Sequence, residues 1–214
     1  KLLKRDALVL EANSLKDTEL RTYFQKQTHQ EGLTFDKGVF EELLVKSSFD
    51  FSDIQKNLAF LKGYKTEGNI SSQDITEAIP KSLQDNIFDM TQLLLRGQIQ
   101  DVRELVHDLR LQGEDEIKLI AVMLGQFRTY LQVKLLSAQG KSEQQIVSSL
   151  SDYLSRKVNP FQVRYAIRDS RHLSVAFLKT TIKTLVETDY QIKTGTLDKD
   201  YLLDLALLKI ASNS

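Results

Sequence analysis

The sequence predicts an all-α protein: a small three-helix bundle, then a larger helical domain, with a short strand remnant at the N-terminal end. Three observations carry this expectation. Apolar residues recur at spacings of three and four along most of the chain, the mark of one-sided helices. Only two prolines occur in 214 residues, which suits uninterrupted helical ladders. Glycines and Ser, Asp or Asn residues punctuate the periodic runs, where helices stop and start.

Each element follows in order. Segment 1–13 holds one apolar stretch, Ala7-Leu8-Val9-Leu10, that reads as a strand or extended remnant. A lone strand needs a sheet partner, so the simplest expectation is an upstream domain to which it belongs. A helix is expected over 17–30, capped by Ser14 or Asp17, with Leu20, Tyr23, Phe24 and Gln27 on successive turns and Gly32 as its stop. A second is expected over 36–46 on Val39, Phe40, Leu43 and Leu44. A third begins near Ser52-Asp53 and carries Ile54, Leu58, Leu61 and Tyr64, ended by Gly63 and Gly68. Short loops join these three into a bundle. A short capped helix over 71–79 precedes Pro80, and the domain junction is placed between Ile79 and Asn86.

The second domain opens with a helix over 87–95, stopped by Gly97, and another over 99–111 on Val102, Leu105, Val106 and Leu109. The longest helix is expected over 114–138. Its acidic start, Glu114-Asp115-Glu116, suits the positive end of the helix dipole. Its apolar stripe is wide enough to pack on more than one neighbour. Gly140 closes it, and Ser142 caps a helix through Leu150. Asn159-Pro160 opens another to about Arg171, since Pro is favoured at the first helical position. A long helix follows over 174–193, and Asp198 caps a last one to Ile210. That last helix carries Tyr201, Leu202, Leu203, Leu205, Leu207, Leu208 and Ile210 around almost its whole circumference. A helix apolar all round is buried all round, either as a central core helix or against another subunit.

Composition narrows the function. The 29 basic and 29 acidic residues cancel, so any nucleic-acid binding must come from a local patch. There is no cysteine, which excludes disulfides, thiolate metal sites and Cys nucleophiles. No apolar run approaches the ~20 residues of a membrane span, and no signal peptide is visible, so a cytoplasmic location is expected. Gly140-Lys141-Ser142 resembles the end of a P-loop, but Leu135 stands where the pattern needs its first glycine. His29, His107 and His172 are not spaced as a zinc pair, and no Gly-x-Ser-x-Gly elbow occurs. No intrinsic catalysis, cofactor or metal is therefore expected.

One basic constellation stands out. Arg164, Arg168 and Arg171 fall at i, i+4 and i+7 and share one helix face, with Arg156 and Lys157 just before the Asn159-Pro160 turn. Phosphates or an acidic partner suit such a stripe; a solvated face, softened by Asp169, is the plain alternative.

The second domain also resembles a known family. The runs are Ile87-Phe88-Asp89-Met90, Leu93-Leu94-Leu95, Gly125-Gln126-Phe127-Arg128 with Leu131 and Lys134-Leu135-Leu136, Asn159-Pro160-Phe161 with Val163, and Thr188-Asp189-Tyr190 with Lys193-Thr194-Gly195. In that order and spacing they resemble the C-terminal region of the delta subunit of bacterial DNA polymerase III. In the first domain, Phe51-Ser52-Asp53-Ile54, Asn57-Leu58 and Leu61-Lys62-Gly63-Tyr64 are similar to the family's corresponding helix, although Ala59-Phe60-Leu61-Lys62 departs from its usual wording.

The resemblance implies a clamp-loader subunit of three domains: an AAA+-like domain, a helical lid and a helical collar. On it, 1–13 is the tail of a first domain absent from this sequence, 14–80 the lid and 81–214 the collar. It implies hetero-pentamer assembly with other loader subunits, contact with the sliding clamp through that first domain, and primed DNA within the assembly. No ATP-hydrolysing site is implied. Tyr201, Leu203, Leu207 and Ile210 become candidates for the subunit interface, with Leu203 and Leu207 outward. Tyr190 and Lys193, with the stripe Arg164, Arg168 and Arg171, become candidates to face DNA. A stand-alone helical adaptor and an independent DNA-binding module are the alternatives.

Overall fold

A computed structural model of the chain describes residues 15–47, 49–155 and 158–213. The strand expected within 1–13, the Ser14 cap and the basic pair Arg156-Lys157 lie outside the described residues. The chain divides between Pro80 and Lys81 into two compact units. Eleven α-helices and one short strand pair make up the described architecture.

The first unit runs α1 (Asp17–Gln30), β1 (Leu33–Phe35), α2 (Val39–Lys46), α3 (Phe51–Tyr64), β2 (Gly68–Ile70) and α4 (Ser72–Ala78). The strand pair was not foreseen. β1 and β2 are parallel, with Leu33, Thr34 and Phe35 opposite Gly68, Asn69 and Ile70. Parallel strands need a long crossover, and α2 with α3 provides it. Leu33 and Ile70 point into the core, beside Phe24, Leu43, Leu44, Ile54, Leu61 and Ile75, all essentially inaccessible to solvent. α2 starts at Val39, later than expected, because Gly38 holds the left-handed φ of +87° just before it. Asp50 caps α3 by accepting from the backbone N–H groups of Ser52 and Asp53. Gly63 lies inside α3 and does not end it. Ser71 and Asp74 form a reciprocal capping box at α4.

The second unit contains α5 (Leu83–Leu95), α6 (Ile99–Leu111), α7 (Glu116–Ala138), α8 (Glu143–Leu154), α9 (Pro160–Asp169), α10 (Val175–Lys193) and α11 (Lys199–Ala211). α5 begins a turn earlier than the periodicity suggests, because Ser82 and Asp85 form another capping box. α7 has 23 residues and at 1.5 Å per residue is about 35 Å long. It is the axis of the unit: α5, α8, α9, α10 and α11 all pack on it. Its buried residues Leu119, Ile120, Met123, Phe127, Tyr130 and Val133 meet Ile87, Met90, Leu94, Val106, Val163, Leu178 and Leu185 in one continuous core. The wide stripe expected of this helix is thus satisfied by several neighbours within the chain.

The Gly140-Lys141-Ser142 turn is a helix stop followed by a helix start. Gly140 takes the left-handed φ of +77° after α7. The Ser142 hydroxyl caps α8 through the Gln145 N–H, and Lys141 donates to the Ser149 hydroxyl at 2.8 Å. Among the described residues no helix is long and apolar enough to cross a membrane, and no group of His, Asp or Glu side chains is placed to hold a metal ion.

Candidate subunit and nucleic-acid interfaces

α11 divides its apolar residues into two faces. Leu202, Leu203, Ala206, Leu207 and Ile210 are buried in the core of their own unit, against α5, α6, α7 and α10. Leu203 and Leu207 are 0% and 3% exposed, so the expectation that they face outward is corrected. Ile210, at 1%, is likewise withdrawn from the surface. The cause is intramolecular packing: four neighbouring helices already use that face. What remains outside is Tyr201, 57% exposed, Leu208, 44% exposed, and half-buried Leu205. These three fall at i, i+4 and i+7, one stripe along the helix. Tyr201 is the member of the expected interface set that keeps a free surface.

A cluster of charges pins the start of α11. Glu116, only 3% exposed, opens α7. Its Oε1 accepts from Arg110 Nε at 2.8 Å, and its Oε2 lies 2.7 Å from Lys199 Nζ. Lys199 also reaches Asp115 at 2.7 Å. Arg110 lies 3.6 Å from Asp204 and 3.8 Å from Asp200. Burial pushes the Glu116 carboxyl up, but Lys199, its own backbone N–H and Arg110 outweigh this and hold it down at about 2. The same contacts raise Lys199, chiefly through Asp115 and Glu116. Asp200 is raised because the Glu116 carboxylate stands beside it. Sequence reasoning took Glu116 as a partner of the helix dipole; its partner Lys199, far along the chain, had no local signal.

The arginine stripe on α9 is solvent-facing but largely occupied. The Arg164 guanidinium makes a two-pronged contact with Glu143 on α8, its Nη2 3.0 Å from Oε1 and its Nε 3.3 Å from Oε2. It also lies over the Phe161 ring at 5.7 Å. Arg168 donates to Asp169 Oδ1 at 2.8 Å and covers the Tyr165 ring at 5.1 Å. Arg171 is exposed and has no ion pair among the described residues. The helix ends at Asp169, so Arg171 falls in the turn beyond it; Arg164 and Arg168 alone share the face of α9, and both are answered within the chain. Lys134, from α7, donates to the carbonyls of Ser170 and Arg171 at 3.1 and 3.0 Å and closes the end of α9.

Tyr190 and Lys193 lie on α10. Tyr190 is 68% exposed, and Lys193 is exposed while pairing with Asp189 at 2.8 Å. These two are brought together on one helix face; the α9 arginines sit on a different element.

The Gly125-Gln126-Phe127-Arg128 run has an interior role. Phe127 is fully buried. Gln126 donates to the Tyr130 hydroxyl at 2.8 Å, and its carbonyl lies 3.1 Å from the Thr91 hydroxyl on α5. Burial pushes the Tyr130 hydroxyl up to about 12, so it stays neutral and able to donate. This polar link ties α7 to α5 inside an otherwise apolar core.

Comparison with known proteins agrees with this architecture. The family model described as "DNA polymerase III delta subunit, C-terminal domain" matches residues 84–210. DNA polymerase III subunit delta of Bacillus subtilis (strain 168) is 33% identical over 214 residues, covering 98% of this chain and 59% of that protein. The solved structure of the Bacillus subtilis DNA clamp loader delta protein superposes with a TM-score of 0.75 at 30% identity, covering 98% of this chain and 60% of that one. The chain thus spans about three fifths of the length of these relatives.

Proposed function

The chain belongs to the DNA polymerase III delta subunit family, and from that premise we propose that it is a non-catalytic component of a clamp loader. In this role residues 81–214 form the collar through which loader subunits assemble into a hetero-pentamer, and 14–80 form the lid. The loader opens the sliding clamp and places it on primed DNA in the cytoplasm. The observation that carries the reading is the coincidence of the family match, 84–210, with the second compact unit. The turn that most resembles a nucleotide loop supports the non-catalytic part, since its groups are spent on stopping one helix and capping the next.

The assembly surface is assigned to the outer stripe of α11: Tyr201, Leu205 and Leu208. Large apolar side chains exposed at helical spacing are the composition of a helix that docks on another protein. Tyr190 and Lys193 are assigned to the side facing DNA. The α9 arginines are a weaker choice for that side, because Glu143 and Asp169 already hold two of them.

Mixing the purified chain with two sister loader subunits and reading complex mass by light scattering tests the proposal. A stable heteromeric complex is expected, weakened at least tenfold by Tyr201→Asp combined with Leu208→Asp, with helical content unchanged. A persistent monomer, where the full-length relative assembles, would overturn it.

A further inference from the structure

The interior of the second unit holds a polar cluster whose bonds do not close. Gln126, on α7, is engaged at both ends: its carbonyl lies 3.1 Å from the Thr91 hydroxyl, and its Nε2 donates to the Tyr130 hydroxyl at 2.8 Å. The Tyr130 oxygen thus accepts, while its own proton has no acceptor among the described residues. Asp169, the last residue of α9, has a side chain only 7% exposed. Its Oδ1 accepts from Arg168 Nε at 2.8 Å, and its Oδ2, shut off from solvent, accepts from nothing among the described residues. Gln92, on α5, completes the set: its Nε2 is shut off from solvent and donates to nothing among the described residues.

The open groups converge on one hydroxyl. α7 packs on both α5 and α9. Burial is the chief reason that the Tyr130 hydroxyl is pushed up; the Asp169 charge adds to the push, and the Gln126 and Gln92 side chains, as hydrogen-bonding neighbours, oppose it. Gln92 and Asp169 therefore both bear on Tyr130, from two different helices, yet neither bonds it directly. Polar groups that face one another beyond bonding distance are commonly joined by a water molecule.

The donor and acceptor pattern selects the occupant. Two of the open groups, the Tyr130 O–H and the Gln92 N–H, are donors; the third, Asp169 Oδ2, is an acceptor. A cation cannot accept from the donors, and an anion is repelled by the carboxylate. Water does both, and a buried water typically makes about three hydrogen bonds to groups that are otherwise unsatisfied.

We propose that one buried water is built into the core of the second unit, accepting from the Tyr130 O–H and the Gln92 Nε2–H and donating to Asp169 Oδ2. It joins α5, α7 and α9 in one hydrogen-bonded chain, from Thr91 through Gln126, Tyr130, the water and Asp169 to Arg168. That chain starts in the core and ends on an exposed guanidinium, so the end of α9 is fastened to the interior by a polar link as well as by packing. The inference stands on the second unit alone and does not depend on the clamp-loader reading.

The test combines a high-resolution crystal structure of the 214-residue chain with water–protein cross-relaxation measured by NMR. The expected result is a water peak at about 2.7–3.2 Å from Tyr130 Oη, Gln92 Nε2 and Asp169 Oδ2, and a cross-peak between long-lived water and the Gln92 side-chain amide. Tyr130→Phe removes one of the three bonds and should weaken that cross-peak several-fold with helical content unchanged. The parent chain alone decides the matter if that variant folds poorly. A direct bond between Tyr130 and Asp169, a site without a water peak, or a cross-peak indifferent to Tyr130→Phe would overturn the proposal.

Discussion

Two sets of ion pairs in the second unit use the same chemistry and have different consequences. At the start of α11, Glu116 is held by Arg110 and Lys199 with almost none of its surface in water. On α9, Arg164 and Arg168 hold Glu143 and Asp169 with the arginine side chains 62% and 63% exposed. In water an ion pair competes with hydration and salt and gains little. In the interior the carboxylate has already lost its water, so its partners are what make the ionised form tolerable. The first set therefore fixes the placement of a helix. The second shapes a surface, and its arginines are kept flat and oriented over Phe161 and Tyr165.

Breaking the buried set should give the larger effect. Glu116→Ala leaves Lys199 with Asp115, and Arg110 with the more distant Asp200 and Asp204, and is expected to destabilise the second unit by about 2 kcal/mol. Urea unfolding followed by circular dichroism measures this. A loss below about 1 kcal/mol would place Glu116 with the surface pairs and erase the distinction.

Acid sharpens the same contrast. The Glu116 carboxyl is held at about 2 in the folded state, well below the ordinary 4.5. A group depressed in this way stabilises the fold fully above its unfolded value and loses that contribution as pH falls through the folded one. Its share, about 2–3 kcal/mol, is therefore present at pH 5 and disappears between about pH 4.5 and 2. Asp200, raised by Glu116, works in the opposite sense and trims this share. Glu116→Gln should remove this part of the acid sensitivity, so the stabilities of variant and parent converge at low pH.

The smallest effects belong to α9, and they should differ from each other. Asp169 is 7% exposed and its Oδ2 has no hydrogen-bond partner among the described residues. Removing Arg168 leaves that carboxylate poorly compensated, so Arg168→Ala should cost about 1 kcal/mol. Glu143 is 35% exposed and keeps much of its hydration, and Arg164→Ala should cost less than about 0.5 kcal/mol. Equal losses on thermal melting would show that burial of the acid does not decide the outcome.

Much of the fold was legible because helices announce their ends locally. Ser71, Ser142, Asn159, Ser174 and Asp198 mark a cap or helix start in the sequence and are N-caps in the structure, while Asp115, expected inside the first turn, is itself the N-cap of α7. What escaped depends on contacts distant in sequence. Strands of three residues are too short for an alternation of period two, and β1 finds its partner only across two helices. α11 was apolar in every direction, so its sequence held no preference between faces; four neighbouring helices made the choice. The arginine spacing on α9 was visible, but Glu143, on another helix, was not a visible partner.

The placement of α11 in the core sets an order in time. The first unit can bury its apolar face once Ile75 and Ile79 have been made, since the described residues of its core run from Leu20 to Ile79. The second cannot: Leu203, Leu207 and Ile210 complete a core begun by Ile87 and Met90. At roughly 5–20 residues per second of synthesis, the faces of α5 and α7 wait several seconds to tens of seconds for the helix that covers them. During translation, then, the first unit's core closes early while the second stays open and adhesive until α11 seals it.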